Sequence, residues 1–232
     1  MACFLSMDYF QNFFMKSIFD QSLYDKDYFE NGISSGKSCY ENYRWLPELT
    51  LEMAKSIISY LNLTSQSNVL DYGCSKGYLV KAFRLNSIFA YGCDISEYAI
   101  ENVDDSVKDY CKLITDGKLI PFQDNKFDWL ISKDVLEHLS EENIDLLLTE
   151  AKHNVSKMFH VIPLGDKNNQ FIIPEYHDDP SHITIKNKEW WEEKFNSFGW
   201  KLTHFNFNVK GIKDKWYESN SKGNGFFIFE KK

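Results

Sequence analysis

Apolar and polar positions alternate along the chain in a pattern that predicts helices and strands taken in turn. Apolar residues from Leu49 to Leu61 recur at helical spacing behind Pro47, and this spacing predicts a long helix. From Asn68 onward, short apolar runs alternate with helical segments, which is typical of a parallel sheet with helices on both faces. The predicted strands are NVLDY, IFAYGCD, CKLIT, FDWLIS and VSKMFHVIPL, and the predicted helices between them lie at about residues 77–86, 96–103 and 141–153.

The end of the chain follows a different pattern. Asn187 is a suitable N-cap for a helix that carries Trp190 and Trp191 and ends at Gly199. Two apolar strands follow, WKLTHFNFNV and GFFIFEK, and we expect no helix in the polar loop between them. Consecutive strands without a crossover connection pair antiparallel. The predicted sheet therefore has five parallel strands finished by an antiparallel hairpin.

The first part of the chain is irregular and rich in aromatic side chains, as in YDKDYFENG and SCYENYRW. We therefore divide the chain into an N-terminal aromatic arm, or lid, at residues 1–45 and one domain at residues 46–232. The extreme N-terminus is apolar, but Asp8 and Lys16 interrupt it and no basic leader precedes it. We expect neither an export signal nor a membrane span.

Composition narrows the class of protein. The 232-residue chain carries a net charge of −8, and its lysines and arginines form no run, which argues against broad attraction to nucleic acid or anionic lipid. Its five cysteines are widely separated and include no C-x-x-C pair. We therefore expect reduced thiols in a cytoplasmic protein rather than disulfides or a zinc site.

The stretch VLDYGCSKGYLV, residues 69–80, is a glycine-rich turn between the first strand and the next helix. Its G-x-S-x-G string also occurs at the nucleophile elbow of hydrolases, but no oxyanion-hole loop precedes it and Asp71 has no role in an elbow. A dinucleotide fingerprint needs its third glycine one position later, and GKS at residues 36–38 lacks the glycine that a phosphate loop needs at Asn31. The pattern that fits is D-x-G-x-x-x-G, ending at Gly77, with an acidic residue at the end of the second strand.

This pattern resembles the S-adenosylmethionine-dependent methyltransferases of the Rossmann-like class. Four motifs carry the resemblance in order over roughly residues 45–230, within VLDYGCSKGYLVKAF, YGCDIS and CKLITDGKLIPFQDNKFDWLISKDVLEHL. The resemblance implies a Rossmann-like α/β fold with a seven-stranded, mostly parallel sheet. It also implies S-adenosyl-L-methionine as the cofactor and methyl transfer as the activity.

The resemblance also assigns cofactor contacts. Asp94 is expected to accept hydrogen bonds from the ribose diol, and Asp116, beside Gly117, to accept one from the adenine amino group. Taken alone, either aspartate is more often a strand-end cap. The glycine turn surrounds the methionine portion, and Ser75 replaces the glycine usual there. Serine fits this position with a negative φ, so we expect a negative φ and tolerance of the serine rather than loss of binding. The predicted cofactor-binding residues are Asp71, Gly73, Ser75, Gly77, Asp94, Ile95, Asp116, Gly117 and Lys133.

Candidates for catalysis follow the fourth and fifth strands. Glu137 and His138 come directly after the fourth strand, where a structural role and a catalytic role both stay open. His182 lies in PEYHDDPSHIT, between the fifth strand and the Trp-rich helix. We predict His182 as the general base, with Asp178 or Asp179 orienting its ring, and the alternative is a purely structural loop.

Two sets of side chains are candidates for a metal site. One set lies in the loop after the fifth strand, and the other stands where catechol-type methyltransferases place their metal-binding acids. Neither set has convincing spacing, so we predict no required metal. The sets are His177, Asp178, Asp179 and His182, and Asp134, Asp166 and Asn168.

The acceptor is predicted from the residues at the expected mouth of the site. No DPPY-like tetrapeptide follows the fourth strand, which argues against the amino groups of nucleic acid bases as acceptors. Histidines and carboxylates at the mouth favour a hydroxyl of a sugar, a nucleotide-sugar or another small polar metabolite. A small-molecule or peptide amine is the alternative, and a catalytically silent cofactor-binding module acting through a protein partner also stays open.

The arm supplies further candidate substrate contacts at Tyr40, Tyr43 and Arg44, beside Asp178 and Asp179 of the loop. The tyrosines can bury the acceptor and shield a sulfonium by cation–π contact, and the arginine can bind a carboxylate or phosphate. The arm resembles the Y-x-x-x-Y-F beginnings of methyltransferases associated with bacterial surface-glycan synthesis. The alternative is that its aromatic residues form core or a homodimer contact.

Overall fold

The structure is a computed structural model, and it describes residues 21–115 and 118–232. Within these residues the strands form one seven-stranded sheet. Its strands are β1 (Asn68–Tyr72), β2 (Phe89–Asp94), β3 (Cys111–Leu113), β4 (Phe127–Lys133), β5 (Val155–Pro163), β6 (Trp200–Asn206) and β7 (Asn224–Lys231). Across the sheet they follow the order β3-β2-β1-β4-β5-β7-β6.

The pairing of the strands confirms the predicted Rossmann-like sheet. The strands from β1 to β5 pair parallel to their neighbours, and β7 pairs antiparallel with both β5 and β6. The chain runs outward from β1 to β3 and then returns to the other side of β1 with β4. The order therefore reverses between β1 and β4, and in open parallel sheets ligands bind beyond the carboxyl ends of the strands at such a point.

Helices occupy the predicted positions between the strands, with ends that differ by one or two residues. Asn187 caps its helix as predicted, since its Oδ1 accepts a hydrogen bond from the Trp190 N–H at 2.9 Å. In the described residues the α-helices span Lys26–Glu30, Gly32–Ser35, Pro47–Leu61, Tyr78–Leu85, Glu97–Glu101, Glu141–Asn154, Lys188–Ser197 and Asp214–Ser219, with 3-10 turns at Gln21–Leu23, Asp105–Tyr110, Leu136–His138 and Pro174–Asp178.

The loop between β6 and β7 differs from the prediction, because it contains the short helix Asp214–Ser219. The Gly211 N–H donates to both carboxylate oxygens of Asp214, each at 3.0 Å, which closes the turn before the helix. Trp216 stacks on Tyr176 with the ring centroids 4.9 Å apart. This packing partner lies far away along the chain, so the local pattern of polar residues did not indicate the helix.

Helices cover both faces of the sheet, as predicted. On one face the helix Glu141–Asn154 shares a hydrophobic core with Leu130 of β4. On the other face the helix Pro47–Leu61 shares a core with Ile131, the next residue of the same strand. Successive side chains of a strand point to opposite faces, so both faces of the sheet are closed. A ligand reaches the sheet at the ends of its strands.

The described part of the arm lies against the domain. Tyr28 and Phe29 are buried together with Ala99 in a small aromatic core. The ammonium of Lys76, in the glycine turn, is paired with the carboxylate of Glu30 in the arm. The arm is therefore held beside the turn that follows β1.

Residues 1–20 lie outside the described residues, so the expectations for the extreme N-terminus stay predictions. The division of the chain at residue 45 and the homodimer contact through the arm also stay predictions. Over the described part of the chain, no helix combines the length and the apolar character that a membrane crossing requires.

Candidate functional site

A cavity of about 450 Å³ opens beyond the carboxyl ends of β1, β2 and β4. One wall, here called the sheet wall, comes from the glycine turn after β1 and from the end of β2. The rest of the lining, here called the opposite wall, comes from the arm, the segment after β4 and the loop after β5. The cavity lies where the strand order reverses, so the topology predicts a ligand there. Lining residues used below include Tyr28, Tyr40, Ser75, Asp94, His138 and Ser181.

The turn after β1 brings main-chain atoms close to the cavity. Gly73 has a φ of +80° and Gly77 a φ of +73°, in the left-handed region that glycine enters without steric cost. A Cβ atom on Gly73 would lie 2.4 Å from Cγ2 of Val135, so only glycine fits at this position. Gly77 precedes the helix Tyr78–Leu85, whose N-terminus is suited to an anionic group.

Ser75 lines the cavity in a conformation that differs from the expected one. We predicted a negative φ, and this was wrong, because the φ of Ser75 is +50°. The Ser75 N–H donates to Oδ2 of Asp94 at 2.7 Å. This charge-assisted hydrogen bond offsets part of the cost of a left-handed serine, about 1–2 kcal/mol.

Asp94 ends β2 and places its buried carboxylate at the sheet wall. Its Oδ1 accepts from the Ser96 N–H at 2.8 Å and its Oδ2 from the Ser75 N–H at 2.7 Å. Burial raises the pKa of Asp94, and these hydrogen bonds oppose the shift. Each carboxylate oxygen keeps a second lone pair. The group can therefore accept two further hydrogen bonds from a ligand.

Asp71 and Lys133 do not line the cavity. Burial, and then the nearby Asp94 carboxylate, raise the pKa of Asp71 to about 7, while Lys133 opposes the shift. The Lys133 ammonium donates to Oδ2 of Asp134 at 2.5 Å. Asp71 therefore interacts with the Asp94 carboxylate of the sheet wall, and Lys133 is paired with the segment after β4.

The predicted adenine contacts fall on a segment that the structure does not describe. Asp116 and Gly117 lie outside the described residues, so their role stays a prediction. Ile95, which follows Asp94, and Ile114, at the end of β3, both line the cavity. They provide apolar surface in the same cavity as the Asp94 carboxylate.

The turn after β4 carries Glu137, one of the predicted catalytic residues. Glu137 is fully buried, and across the described ranges neither oxygen of its carboxylate has a hydrogen-bond partner. Burial, and then the nearby Asp134 carboxylate, raise the pKa of Glu137 well above its usual range. The main-chain carbonyl of Glu137 accepts from the N–H groups of Ile183 and Thr184, each at 2.9 Å. These bonds tie the turn to the loop after β5.

His138 lines the cavity, and its tautomer is fixed by its neighbours. Its Nδ1 lies 2.8 Å from Oγ of Ser181, and that hydroxyl donates its own proton to Oδ1 of Asp179. Ser181 therefore accepts from His138, which carries its proton on Nδ1 and a lone pair on Nε2. Burial, helped by His182, lowers the pKa of His138 to about 4.

Asp179 joins the loop after β5 to the arm. Its Oδ2 accepts from the Tyr28 hydroxyl at 3.1 Å, and its Oδ1 accepts from the Ser181 N–H at 2.9 Å. We predicted that Asp178 or Asp179 would orient His182, and this was wrong. Asp179 supports His138 through Ser181 instead, and Asp178 is exposed and absent from the cavity lining.

His182 lies beside His138, with the two ring centroids 4.5 Å apart. Its Nδ1 is 2.6 Å from the main-chain carbonyl oxygen of Tyr176. A carbonyl only accepts, so His182 carries its proton on Nδ1 and a lone pair on Nε2. The ring is half-buried and does not line the cavity itself. Its role as general base stays a prediction.

The structure does not assemble either of the predicted metal sets. Asp166 accepts from N–H groups of its own loop, and Nε2 of His177 accepts a main-chain N–H. Within residues 21–115 and 118–232, a different group of potential ligands comes together. Glu137, His138 and His182 each offer an atom that lies within 4.8 Å of the other two.

The arm contributes unequally to the wall opposite the sheet. Tyr40 lines the cavity together with other tyrosines of the arm. Tyr43 instead stacks on Tyr78, with the ring centroids 5.5 Å apart. Arg44 is exposed and donates to the main chain of its own segment at 3.2 Å. Of the predicted arm contacts, only Tyr40 is placed to touch a ligand in the cavity.

Ser181 lines the cavity and was not predicted from the sequence. The letters DDPSH contained a signal, since an aspartate favours a turn in which its carboxylate accepts the main-chain N–H two residues later, here that of Ser181. His138, whose Nδ1 donates to the Ser181 hydroxyl, lies far away along the chain. Only the fold brings it to the serine.

Comparison with known proteins agrees with this geometry. Residues 70–157 match the family model of a methyltransferase domain. The chain is 29% identical over 139 residues to phosphoethanolamine N-methyltransferase of Plasmodium falciparum (isolate 3D7), covering 55% of this chain and 51% of that protein. It is 40% identical over 83 residues to tRNA (carboxymethyluridine(34)-5-O)-methyltransferase of Arabidopsis thaliana, covering 35% of this chain and 19% of that protein.

A solved structure shares the fold over most of the chain. A SAM-dependent methyltransferase from Archaeoglobus fulgidus has a TM-score of 0.58 and 16% identity, covering 80% of this chain and 97% of that chain. The chain spans about half the length of the first curated relative and about a fifth of the second. The domain match over residues 70–157 and the shared fold show that this chain has the Rossmann-like fold of the class I methyltransferases. They imply S-adenosylmethionine as its cofactor.

Proposed function

We propose that this chain transfers a methyl group from S-adenosylmethionine to a hydroxyl of a sugar, a nucleotide-sugar or another small polar metabolite. One observation carries the proposal: a single cavity has Asp94 and the glycine turn on one wall and His138 on another. A donor held at the first wall and an acceptor held at the second would meet inside this cavity. Methyl transfer is an in-line displacement, so the placement of the two reactants supplies much of the catalysis.

The sheet wall has the groups that S-adenosylmethionine needs. The Asp94 carboxylate keeps two lone pairs for the ribose hydroxyls, and Ile95 provides apolar surface for the base. The turn that ends at Gly77 offers a helix N-terminus to the carboxylate of the methionine portion. The rings of Tyr28 and Tyr40, which also line the cavity, provide π surface for a sulfonium cation.

The opposite wall has the groups that activate an acceptor. A hydroxyl must lose its proton for methyl transfer to be completed. His138 and His182 both use Nδ1 as a donor, so each presents a lone pair on Nε2. These imidazoles can take the proton directly, as predicted for His182. Alternatively, they can hold a cation that lowers the pKa of the hydroxyl.

An amine is the second candidate acceptor. The tyrosine rings of the arm attract cations, and the Glu142 side chain also lines the cavity. One curated relative is named as an N-methyltransferase of phosphoethanolamine. A cofactor-binding module that acts through a protein partner without turnover is the remaining alternative.

Turnover with S-adenosylmethionine that carries a labelled methyl group tests the proposed function. We expect label in hydroxyl acceptors when sugars and nucleotide-sugars are offered beside phosphoethanolamine and peptide amines. Label confined to the amines would replace the hydroxyl proposal with the second candidate. Binding of S-adenosylhomocysteine without label on any acceptor would favour the silent module.

Two substitutions separate the roles of the histidines. We expect His182→Ala to lower turnover by about 10²–10⁴ and to leave the affinity for S-adenosylhomocysteine unchanged, because the sheet wall holds the cofactor. His153→Ala changes an exposed histidine and is the matched control. If His138→Ala abolishes turnover and His182→Ala does not, the predicted base is the wrong histidine.

A further inference from the structure

We propose that Glu137, His138 and His182 form a binding site for one divalent transition-metal ion at the edge of the cavity. Among the described residues, each of the three offers an atom that lies within 4.8 Å of the other two. Two imidazoles and one carboxylate are a donor set that suits Zn²⁺, Mn²⁺ or Fe²⁺ better than the all-oxygen sets of Mg²⁺ and Ca²⁺. The sequence predicted no required metal because neither of the two candidate sets considered there had convincing spacing, and neither set combined these three residues.

The carboxylate of Glu137 gives the first reason. It is fully buried, and in the part of the chain that the structure describes neither of its oxygens has a hydrogen-bond partner. An unpaired buried carboxylate is costly, and such a group points to an unseen ion or water. The nearby ammonium groups of Lys133 and Lys213 are both paired with Asp134. A cation between Glu137 and the histidines would satisfy the carboxylate.

The orientation of the two histidines gives the second reason. His182 donates from Nδ1 to the Tyr176 carbonyl at 2.6 Å, and His138 donates from Nδ1 to Oγ of Ser181 at 2.8 Å. Ser181 in turn donates to Asp179. Metal-binding histidines show this arrangement, in which a carbonyl or carboxylate holds one ring nitrogen and the other nitrogen binds the ion.

Binding requires only a small contraction of the cluster. Ligand atoms about 2.0–2.2 Å from one tetrahedral ion lie about 3.3–3.6 Å from each other. The ligand atoms of Glu137, His138 and His182 lie within 4.8 Å of each other. The rings of His138 and His182 already lie close together, with their centroids 4.5 Å apart. The hydrogen bonds between the Glu137 carbonyl and the loop after β5 hold the turn and the loop together during this change.

The role of this site in catalysis rests on the proposed function. Three protein ligands leave at least one coordination position open, and His138 lines the cavity. An acceptor hydroxyl bound at that position loses its proton to water more readily, because the metal stabilises the alkoxide. The alkoxide oxygen then forms a bond to the methyl carbon, and the carbon–sulfur bond breaks with its electron pair going to sulfur. The products are a methyl ether, S-adenosylhomocysteine and a hydronium ion.

Metal analysis and calorimetry on the intact chain test the site. After treatment with a chelator, we expect Zn²⁺ and Mn²⁺ to bind with one ion per chain. Glu137→Gln and His182→Ala should each weaken binding by about 100-fold or more, and Ser181→Ala by about 10- to 100-fold. His153→Ala, which changes an exposed histidine, should bind the ions as the wild type does.

Cobalt provides a second readout on the unmodified chain, which does not depend on whether a variant folds. We expect Co²⁺ to give visible absorption bands that stoichiometric Zn²⁺ removes. The proposed site would be overturned if the wild type bound none of Zn²⁺, Mn²⁺ and Co²⁺ stoichiometrically. It would also be overturned if Glu137→Gln and His182→Ala bound these ions as tightly as the wild type. Titration with S-adenosylhomocysteine separates the two proposals. Binding of metal without binding of S-adenosylhomocysteine would support the metal site and contradict the proposed function. Binding of S-adenosylhomocysteine without binding of metal would support the proposed function and contradict the metal site.

Discussion

The two walls of the cavity are built in different ways. On the sheet wall, the Asp94 carboxylate is held by the N–H groups of Ser75 and Ser96, which belong to the turns directly after β1 and β2. The opposite wall is assembled from segments that are distant along the chain. There the Tyr28 hydroxyl of the arm donates to Asp179 of the loop after β5.

The walls also differ in how well their charged groups are satisfied. Asp94 accepts two main-chain hydrogen bonds and keeps lone pairs for a ligand, whereas the Glu137 carboxylate has no hydrogen-bond partner among the described residues. A satisfied, preorganised wall suits a cofactor that binds in every turnover. An unsatisfied buried carboxylate indicates a place where a ligand completes the structure.

Asp94→Ala has the largest expected effect, because it breaks the sheet wall. It removes the carboxylate that we propose accepts two charge-assisted hydrogen bonds from the ribose, each worth roughly 1.5–3 kcal/mol. We expect the affinity for S-adenosylhomocysteine in calorimetry to fall by at least about 100-fold. Asp178→Ala is the matched control, since Asp178 is exposed and does not line the cavity. Equal affinities of wild type and Asp94→Ala would place the cofactor elsewhere.

His160 sharpens the comparison, because it is a buried histidine that belongs to neither wall. Burial lowers the pKa of His160 to about 3 from an ordinary value of 6.5. Between these pH values the unfolded chain takes up a proton that the folded chain excludes, so the free energy of unfolding falls as the pH falls. At about pH 4.5 we expect this residue to cost about 2–3 kcal/mol relative to pH 7.

Urea unfolding of two leucine variants at both pH values measures this effect. His160→Leu should lose less stability than the wild type on acidification, because it has no imidazole to protonate in the unfolded state. His153→Leu, at an exposed position, should follow the wild type. The same pH dependence in all three chains would show that His160 does not exclude the proton.

Tyr28→Phe has the smallest expected effect, and it tests the wall built from distant segments. The substitution removes the hydroxyl that donates to Asp179 at 3.1 Å while leaving the ring in the arm. We expect the free energy of unfolding to fall by about 1–2 kcal/mol. Tyr217→Phe changes a more exposed tyrosine and should have no measurable effect. Matching values for the two variants would mean that the arm does not depend on this bond.

The sequence predicted the sheet and part of the sheet wall, namely Gly73, Ser75, Asp94 and Ile95, because these features depend on local patterns. Each of these features can be recognised within a short stretch of the sequence. They are the alternation of strands and helices, the glycine turn and the acid at the end of β2. The φ of Ser75 was predicted wrongly, because a rule about serine alone does not include the hydrogen bond that its N–H makes with Asp94.

The opposite wall could be predicted only as a set of residue types. His138 and His182 were both candidates, but neither the Ser181 link nor the proximity of the two rings follows from their spacing in the sequence. The helix Asp214–Ser219 escaped prediction for the same reason, since its stacking partner Tyr176 lies on another segment. Long-range packing decides these features, and local patterns do not record it.

Calorimetric titration of the wild-type chain with S-adenosylhomocysteine is the most direct test that the cavity is a cofactor site. We predict one molecule bound per chain, with the affinity depending on Asp94 and independent of Asp178. A chain that binds no S-adenosylhomocysteine but does bind a nicotinamide dinucleotide would contradict this assignment and indicate a dehydrogenase instead.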